Sequence, residues 1–383
     1  MRVLHCATLI SPDGAYGGPV RVACGQVRGL RARGHEALLM AASRGFGGQV
    51  PEQFDGAPVR LLRAWNPLPA LGFATTTAPK MLAWLLRRRR EFDVVHIHLA
   101  RDLVTLPVAA LCLALRIPYI LQTHGMIDPS DRLLARILDA VAVRRVLRGA
   151  SALLVLREIE REQLQTVARA QLPIHAVANG MPLPQQAPPL PEQPRRVLFL
   201  ARLQQRKRPL AFIEAAQALG PEHQHVDFRL VGPDEGEGAA VRAAIAEQPL
   251  DGRLHWDGPV AADQAQEAMA QCDLYVLPSH DEPFPMSVLE AMSLGRPVII
   301  SHDCGLAERV RRAGAGIVIG PEGPSLEDAL RRLLEDARLR RSCGEAGHEL
   351  VRTELSLEAV IDRLEPLYGA AAGPSRHTTG SHS

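Results

Sequence analysis

The sequence predicts an α/β protein of two successive units, each an open, doubly wound parallel sheet flanked by helices. Three observations predict it. Short apolar runs of strand length alternate with longer helical stretches along the whole chain, which is the pattern of repeated βαβ units. The alternation halts once, at PLPQQAPPLPEQP (182–194), where six prolines in thirteen residues mark a stiff linker, and then starts afresh. The length, 383 residues, exceeds what one core usually supports, and the composition, 46% hydrophobic and 22% charged, is that of a globular chain. The expected boundaries are 1–181 for the first unit, 182–194 for the linker, 195–354 for the second unit, a helix over 355–370 and a polar tail over 371–383.

Residues 2–10 read as a strand, followed by a loop with Gly14, Gly17 and Gly18 and by a helix whose N-terminus faces that loop. Such a loop suits a phosphate and suits an ordinary turn, and its spacing is not G-x-G-x-x-G. The run Arg87 to Arg90, after Leu85 and Leu86, either meets anionic lipid headgroups or is a solvated helix end whose charge complements the dipole. DVVHIHL (93–99) is a strand with His96 and His98 on one face. Two imidazoles so placed could ligate a metal, but no third ligand sits at a suitable spacing, so they read as hydrogen-bonded residues at a strand end. A helix over 101–115 leads into the strand IPYILQTHG, whose end carries His124, and open α/β sheets bind ligands at the carboxyl ends of their strands. A basic helix over 131–148, the strand ALLVL and a short helix precede a turn at Asn179-Gly180.

The second unit opens with the strand RVLFLA and the loop RLQQRKRP, which holds Arg202 and Lys207. Only two of the 44 basic residues are lysine, so a lysine here hints at a compact point charge, as a phosphate site needs. In the stretch 277–305, LPSHDEPFPMSVLEAMSLGRPVIISHDCG, Glu282 falls in a loop and Glu290 within a helix, with Pro285 expected in the first helical turn. Between the two carboxylates lie free backbone N–H groups and the positive end of a helix dipole, suited to a diphosphate. The segment covers roughly 12 Å, the length of a ribose, diphosphate and hexose. These positions fit two ends of one extended ligand better than an acid/base pair on one bond.

Bulk properties exclude several classes. Aromatic residues total 4% and no nucleic-acid module occurs. The six cysteines are dispersed without a C-x-x-C pair, so neither a zinc knuckle nor a disulfide framework is expected and a reducing cytoplasm is the simplest location. No signal peptide is read at the N-terminus, and the longest apolar run, 103–115, is too short to cross a bilayer. Residues 1–190 carry a net charge of +10 and the remainder −8, so the basic first unit is a candidate for peripheral contact with a membrane or a lipid diphosphate.

Six segments, GGPVRVACGQVRGLRARGHE, QTHGMIDP, VANGM, LFLARLQQRKRP, LVGPDEG and the E-x7-E block DEPFPMSVLEAMSLGRPVI, occur in order over about residues 2–320. In this the chain resembles the retaining nucleotide-sugar glycosyltransferases of the GT-B fold, family 4. The resemblance implies two facing Rossmann-like domains with an interdomain cleft and a C-terminal helix that crosses back to the first domain. It implies that Gly17 and Gly18 pass close to the donor diphosphate and sugar, that His124 contacts the sugar, and that Arg202 and Lys207 neutralise the departing diphosphate. Glu282 would hold hexose hydroxyls and Glu290 the ribose. Backbone groups of Met286, Ser287 and Val288, after Phe284 and Pro285, would cap the phosphates, with the base near Gly258, Pro259 and Val260. Ala201 departs from the family's usual glycine and would narrow the diphosphate pocket. No cofactor is implied beyond the donor substrate, and no D-x-D occurs, so no metal is expected. The implied activity is transfer of a hexosyl unit to an acceptor glycan or glycolipid in bacterial surface polysaccharide or lipid-linked glycan assembly. A small secondary-metabolite acceptor is the alternative, followed by a nucleotide-sugar 2-epimerase and a non-catalytic binder on the same fold.

Overall fold

The computed structural model describes residues 1–12, 17–47, 50–66, 76–184, 187–219, 223–248 and 250–373. Gly14, Gln185, Gln186 and most of the polar tail therefore lie outside the described residues. The chain divides into two units, Met1–Gly180 together with the segment from Leu357 onward, and Met181–Ser356.

In the first unit β1 (Arg2–Ile10), α1 (Gly17–Ala32), β2 (Glu36–Ser43), β3 (Gln53–Phe54), β4 (Ala57–Arg63), α2 (Pro79–Arg88), β5 (Val94–His98), α3 (Thr105–Leu115), β6 (Tyr119–Gln122), α4 (Leu133–Leu138), α5 (Arg144–Gly149), β7 (Ala152–Val155), α6 (Glu158–Ala168) and β8 (Ile174–Ala176) follow one another. The strands form one sheet in the order β3-β4-β2-β1-β5-β6-β7-β8. All neighbours are parallel except the β3–β4 hairpin. Every residue of β5 and of β6 is buried, as expected for central parallel strands covered on both faces. The chain winds outward from β1 in one direction and from β5 in the other. The crevice between their carboxyl ends is thus the switch point at which such sheets bind ligands.

Two helices depart from expectation, one for a local reason and one for a reason that lies far off in sequence. The helix expected over 101–115 begins at Thr105, because the Asp102 carboxylate accepts from the backbone N–H of Val104 at 2.9 Å and of Thr105 at 2.6 Å. The continuous basic helix expected over 131–148 is broken by a π-helical segment, Asp139–Val143, between α4 and α5. There Asp139 is buried and paired with Arg101 Nε at 2.9 Å, and one wide turn accommodates that pairing.

The second unit runs through β9 (Arg196–Leu200), α7 (Pro209–Ala218), β10 (Asp227–Val231), α8 (Gly238–Glu247), β11 (Leu254–Trp256), α9 (Ala262–Gln271), β12 (Leu274–Leu277), α10 (Met286–Ser293), β13 (Val298–Ser301), α11 (Ala307–Ala313), β14 (Gly316–Ile319), α12 (Leu326–Glu335) and α13 (Ala337–Leu350), with β8 preceding it and α14 (Leu357–Ala372) following. Its sheet, β11-β10-β9-β12-β13-β14, is parallel throughout, and its switch point lies between β9 and β12. Phe199, Phe212 and Phe228 centre its core, with ring centroids 5.7 and 6.2 Å apart. The proline-rich segment lies within this unit. The buried Arg340 side chain donates to the carbonyls of Leu333 at 2.8 Å and of Pro191 at 3.5 Å, tying that segment to α13.

The last helix, α14, belongs to the first unit and packs on α1. A Cβ at Gly29 of α1 would stand 2.8 Å from Ile361 Cγ1, so the two helices approach as closely as glycine permits. Arg33 adds ion pairs to Asp362 and, at 3.2 Å, to Glu365.

Candidate active site

In the first unit β6 ends at Gln122, and the chain turns through a Met126 N–H to Thr123 carbonyl bond of 2.8 Å. The turn puts His124 in the left-handed region at φ +50°, ahead of Gly125 at +74°. A non-glycine residue held there carries strain of about 1 kcal/mol or more, a cost that clusters at functional sites. His124 Nε2 lies 2.8 Å from His98 Nδ1, and the rings stack at 5.1 Å. Burial pushes the His124 pKa down to about 3, so the ring is neutral at physiological pH. Gly17 and Gly18 open α1 just beyond β1, and a Cβ at Gly18 would meet open space.

The third imidazole that the sequence reading did not supply for His96 and His98 is His5. It stands opposite His96 in the parallel β1–β5 ladder. One ring nitrogen of each of the three lies within 4.8 Å of the others, and all three residues are buried. The signal was weak, because HCATLI reads as an ordinary buried strand until its pairing with DVVHIHL is known. Of the stretch Leu85, Leu86 and Arg87 to Arg90 expected to meet lipid, Leu85 is instead fully buried in the core, whereas Leu86 is 43% exposed. Arg88 pairs with Glu91 at 3.1 Å, and Arg89 donates to the Leu86 carbonyl at 2.7 Å.

In the second unit the loops after β9 and β12 face each other across the switch point. Lys207 ends a short 3₁₀ turn, and its Nζ bonds Glu282 Oε2, both side chains being 11% exposed. Arg206 joins the same oxygen at 3.3 Å and donates to the Asp281 carbonyl at 3.0 Å. Burial, opposed by Glu282, lowers the Lys207 pKa below the usual lysine range. Arg202 Nη1 sits 3.0 Å from Glu235, in the loop after β10, and is more than half exposed. Lys207 and Glu282 are thus brought together, while Arg202 is turned toward Glu235. Neither Arg206 nor Glu235 stood out in sequence, since RLQQRKRP and PDEGEG offer several charges each.

Pro285 is the N-cap of α10, with φ −74° and ψ 111°, and not within its first turn as the sequence suggests. No side chain caps this helix, so the N–H groups of its first turn, at Met286, Ser287 and Val288, form its positive end. Ser287 Oγ accepts from Tyr275 at 2.7 Å, Phe284 is buried, and Glu290 lies one turn in and half-buried. Gly258 takes a positive φ of +77° after β11, its carbonyl accepting from Gly232 N–H at 2.9 Å, and Pro259 and Val260 follow. The close approach here is made by Gly232. A Cβ on it would meet the Ala201 carbonyl at 2.0 Å, so Gly232 is the position that must be glycine.

Residues 17–180 match the family described as glycosyl transferase 4-like domain, and residues 184–350 match glycosyl transferases group 1. The chain is a GT-B glycosyltransferase of the family 4 type. The residues singled out above from Gly17 to Glu290 fall within these two spans, and His5 lies ahead of the first. The glycosyltransferase is 27% identical over 369 residues to 2-deoxystreptamine glucosyltransferase of Streptomyces kanamyceticus, covering 87% of this chain and 94% of that one. It is 33% identical over 145 residues to the N,N'-diacetylbacillosaminyl-diphospho-undecaprenol alpha-1,3-N-acetylgalactosaminyltransferase of Campylobacter jejuni, covering 38% of this chain and 36% of that one. In fold it matches Anabaena HepE, solved in complex with UDP and glucose, with a TM-score of 0.71 at 20% identity over 96% of this chain and 98% of that one. Among the described residues no helix is long and apolar enough to cross a membrane.

Proposed function

We propose that this glycosyltransferase moves a hexosyl unit from a nucleotide diphosphate sugar to an acceptor hydroxyl with retention of anomeric configuration. The observation that carries the reading is the β9–β12 crevice, where Lys207, Arg206 and Glu282 meet ahead of an uncapped helix N-terminus. Breaking the anomeric bond places positive charge on the sugar and negative charge on the diphosphate. Lys207, Arg202 and the N–H groups of Met286 to Val288 take up the second, and no divalent ion is needed in this scheme. The departing phosphate oxygen accepts the acceptor's proton on the face where the new bond forms. Glu282, already neutralised by two cations, holds hexose hydroxyls and is not a nucleophile. Glu290 holds the ribose, Gly258, Pro259 and Val260 border the base, and neutral His124 hydrogen-bonds the sugar.

For the acceptor, a glycan or glycolipid presented at a membrane surface is favoured by the span 132–148. Leu133, Leu134, Ile137 and Val141 are 72%, 59%, 49% and 63% exposed, Arg132, Arg136, Arg145 and Arg148 are exposed beside them, and no exposed acid interrupts them. An apolar stripe among arginines fits an anionic lipid surface. A small soluble acceptor is the second reading, favoured by similarity over most of the chain to a 2-deoxystreptamine glucosyltransferase.

Thermal shift with UDP-, GDP- and ADP-sugars identifies the donor. Nucleoside diphosphate release that requires an added acceptor, with the product anomer read by NMR, then tests the reaction. Glu282→Gln is expected to lower kcat/KM by about a hundredfold, and unchanged turnover and donor affinity would discard its role. Co-sedimentation with anionic vesicles, lost in Leu133→Ser/Leu134→Ser, supports the membrane acceptor. Failure of the wild type to bind vesicles leaves the small acceptor.

A further inference from the structure

A row of four imidazoles and a phenol runs through the first unit, and the function proposed above uses only its outer member. His5 and His96 oppose each other across β1 and β5, His98 follows two residues along β5, and His124 lies beyond the end of β6. His96 stacks on His98 at 4.8 Å and His98 on His124 at 5.1 Å, with planes within 11°. Tyr368 of α14 closes the inner end. The contacts form a single line. His124 Nε2 lies 2.8 Å from His98 Nδ1, His98 Nε2 3.2 Å from His5 Nδ1, His5 Nε2 3.4 Å from the Tyr368 hydroxyl, and that hydroxyl 2.7 Å from His96 Nδ1. His5, His96, His98 and Tyr368 are buried, and His124 alone is partly exposed.

Counting protons gives the line a direction. Burial holds all four imidazoles below their usual range and the Tyr368 phenol above its own, so each ring is neutral with one N–H and the phenol keeps its proton. Five protons then serve four contacts, and the fifth must sit at one end of the line. The inner end is His96 Nε2, buried without a hydrogen-bond partner. The Gln122 amide, which also acts on His96, is engaged with Gln26 at 3.1 Å and Asn179 at 3.3 Å. A buried N–H without an acceptor is rarer, and costs more, than a lone pair without a donor. The outer end is His124 Nδ1, which has no partner among the described residues and belongs to the partly exposed ring.

We propose that Tyr368, His5, His96 and His98 form a hydrogen-bond wire that fixes His124 as its Nδ1–H tautomer and so presents it to a ligand as a neutral donor. His96 donates to Tyr368, Tyr368 to His5, His5 to His98 and His98 to His124, so every ring in the wire is an Nδ1–H imidazole. The inner four are positioning residues. The consequence for sugar binding rests on the role proposed above for His124, whose Nδ1–H suits a sugar oxygen acting as acceptor. His5, His96 and His98 also stand within reach of one ion. Ligation would consume lone pairs that the wire needs, so metal content is a direct counter-test.

The test is the long-range ¹H–¹⁵N spectrum of the full chain labelled at histidine, with signals assigned through His124→Gln and Tyr368→Phe. Four Nδ1–H tautomers are expected in the wild type. An Nε2–H on His124, or stoichiometric zinc in the purified protein, would overturn the wire. Tyr368→Phe removes the acceptor of His96 Nδ1–H, so an Nε2–H population is expected on His96, while His5, His98 and His124 keep Nδ1–H because the freed His5 Nε2 is a buried lone pair and not a buried N–H. An unchanged His96 tautomer in that variant would overturn the part assigned to Tyr368. Donor turnover of His124→Gln separates the two readings. A severalfold fall in kcat/KM supports both, whereas unchanged turnover with the four Nδ1–H tautomers in place in the wild type leaves the wire standing and removes His124 from sugar binding.

Discussion

Lys207 and Glu282 lie 75 residues apart and meet with both side chains nearly out of solvent. Removing Lys207 leaves Glu282 with Arg206 as its remaining cation, whereas removing Glu282 leaves Lys207 buried beside the like charge of Arg206, and an unpaired buried charge costs more than the pair itself contributes. Lys207→Met and Glu282→Gln are each expected to destabilise the fold by about 1–3 kcal/mol, and the double variant by less than their sum. Urea unfolding of the four proteins checks this, and additivity within about 0.5 kcal/mol would show that the pair is not coupled. Residue identity at this site is legible in sequence: a rare lysine in a loop after a strand, and a carboxylate ahead of a helix. Its pairing is not, because it depends on β9 and β12 being neighbours. Arg206 is illegible for the same reason. Its distinguishing contacts, to Asp281 and to the N–H of His280 at 2.8 Å, come from the far loop.

At the scale of elements the alternation of strands and helices is carried by local apolar periodicity, and it places the central strands of both sheets, while β3, β4 and β14 are not among the strands read from it. What periodicity does not carry is interruption. Nothing within 131–148 announces a π segment at Asp139–Val143, since its partner Arg101 is 38 residues away. Nor does a glycine inside α1 announce a helix contact, because an interior glycine reads simply as a weak helix former. The structure gives Gly29 a reason in α14. Gly29→Ala brings a methyl 2.8 Å from Ile361 Cγ1 and 3.1 Å from Leu357 Cγ, and one side must shift. Helix propensity favours the change by less than 1 kcal/mol, whereas overpacking costs about 1–3 kcal/mol, so net destabilisation is expected. Ile361→Ala makes room for the new methyl, so Gly29→Ala/Ile361→Ala should be more stable than the sum of the single changes. Denaturant midpoints of the set decide it, and simple additivity would mean that the two helices separate at little cost.

At the scale of the whole molecule, two sheets are legible from the chain's alternation, but the histidine row is not, since it gathers residues from β1, β5, the end of β6 and α14. That gathering makes stability depend on pH with a definite sign. Unfolded, each of His5, His96, His98 and His124 has an ordinary pKa near 6.5. Folded, burial lowers all four, His124 to about 3. Between the folded value and 6.5 the unfolded chain binds more protons than the native one, so stability is lost as pH falls below about 6.5. Each ring contributes up to about 1.4 kcal/mol per pH unit. Glu160 in the same unit acts in the opposite sense, because burial raises its pKa and acid favours its folded form, but it is one group against four. Asp93, lowered by its bonds to Arg2 against its desolvation, loses its contribution only below the ordinary carboxylate range. In the second unit Lys207, lowered by burial, changes stability only on the alkaline side. Acidification from pH 7.5 to 5.5 should therefore weaken the first unit far more than the second. Amide exchange protection, corrected for the intrinsic rate, should fall in β5 and hold in β12. Equal losses in both strands would mean that the acid-sensitive protons lie outside the histidine row.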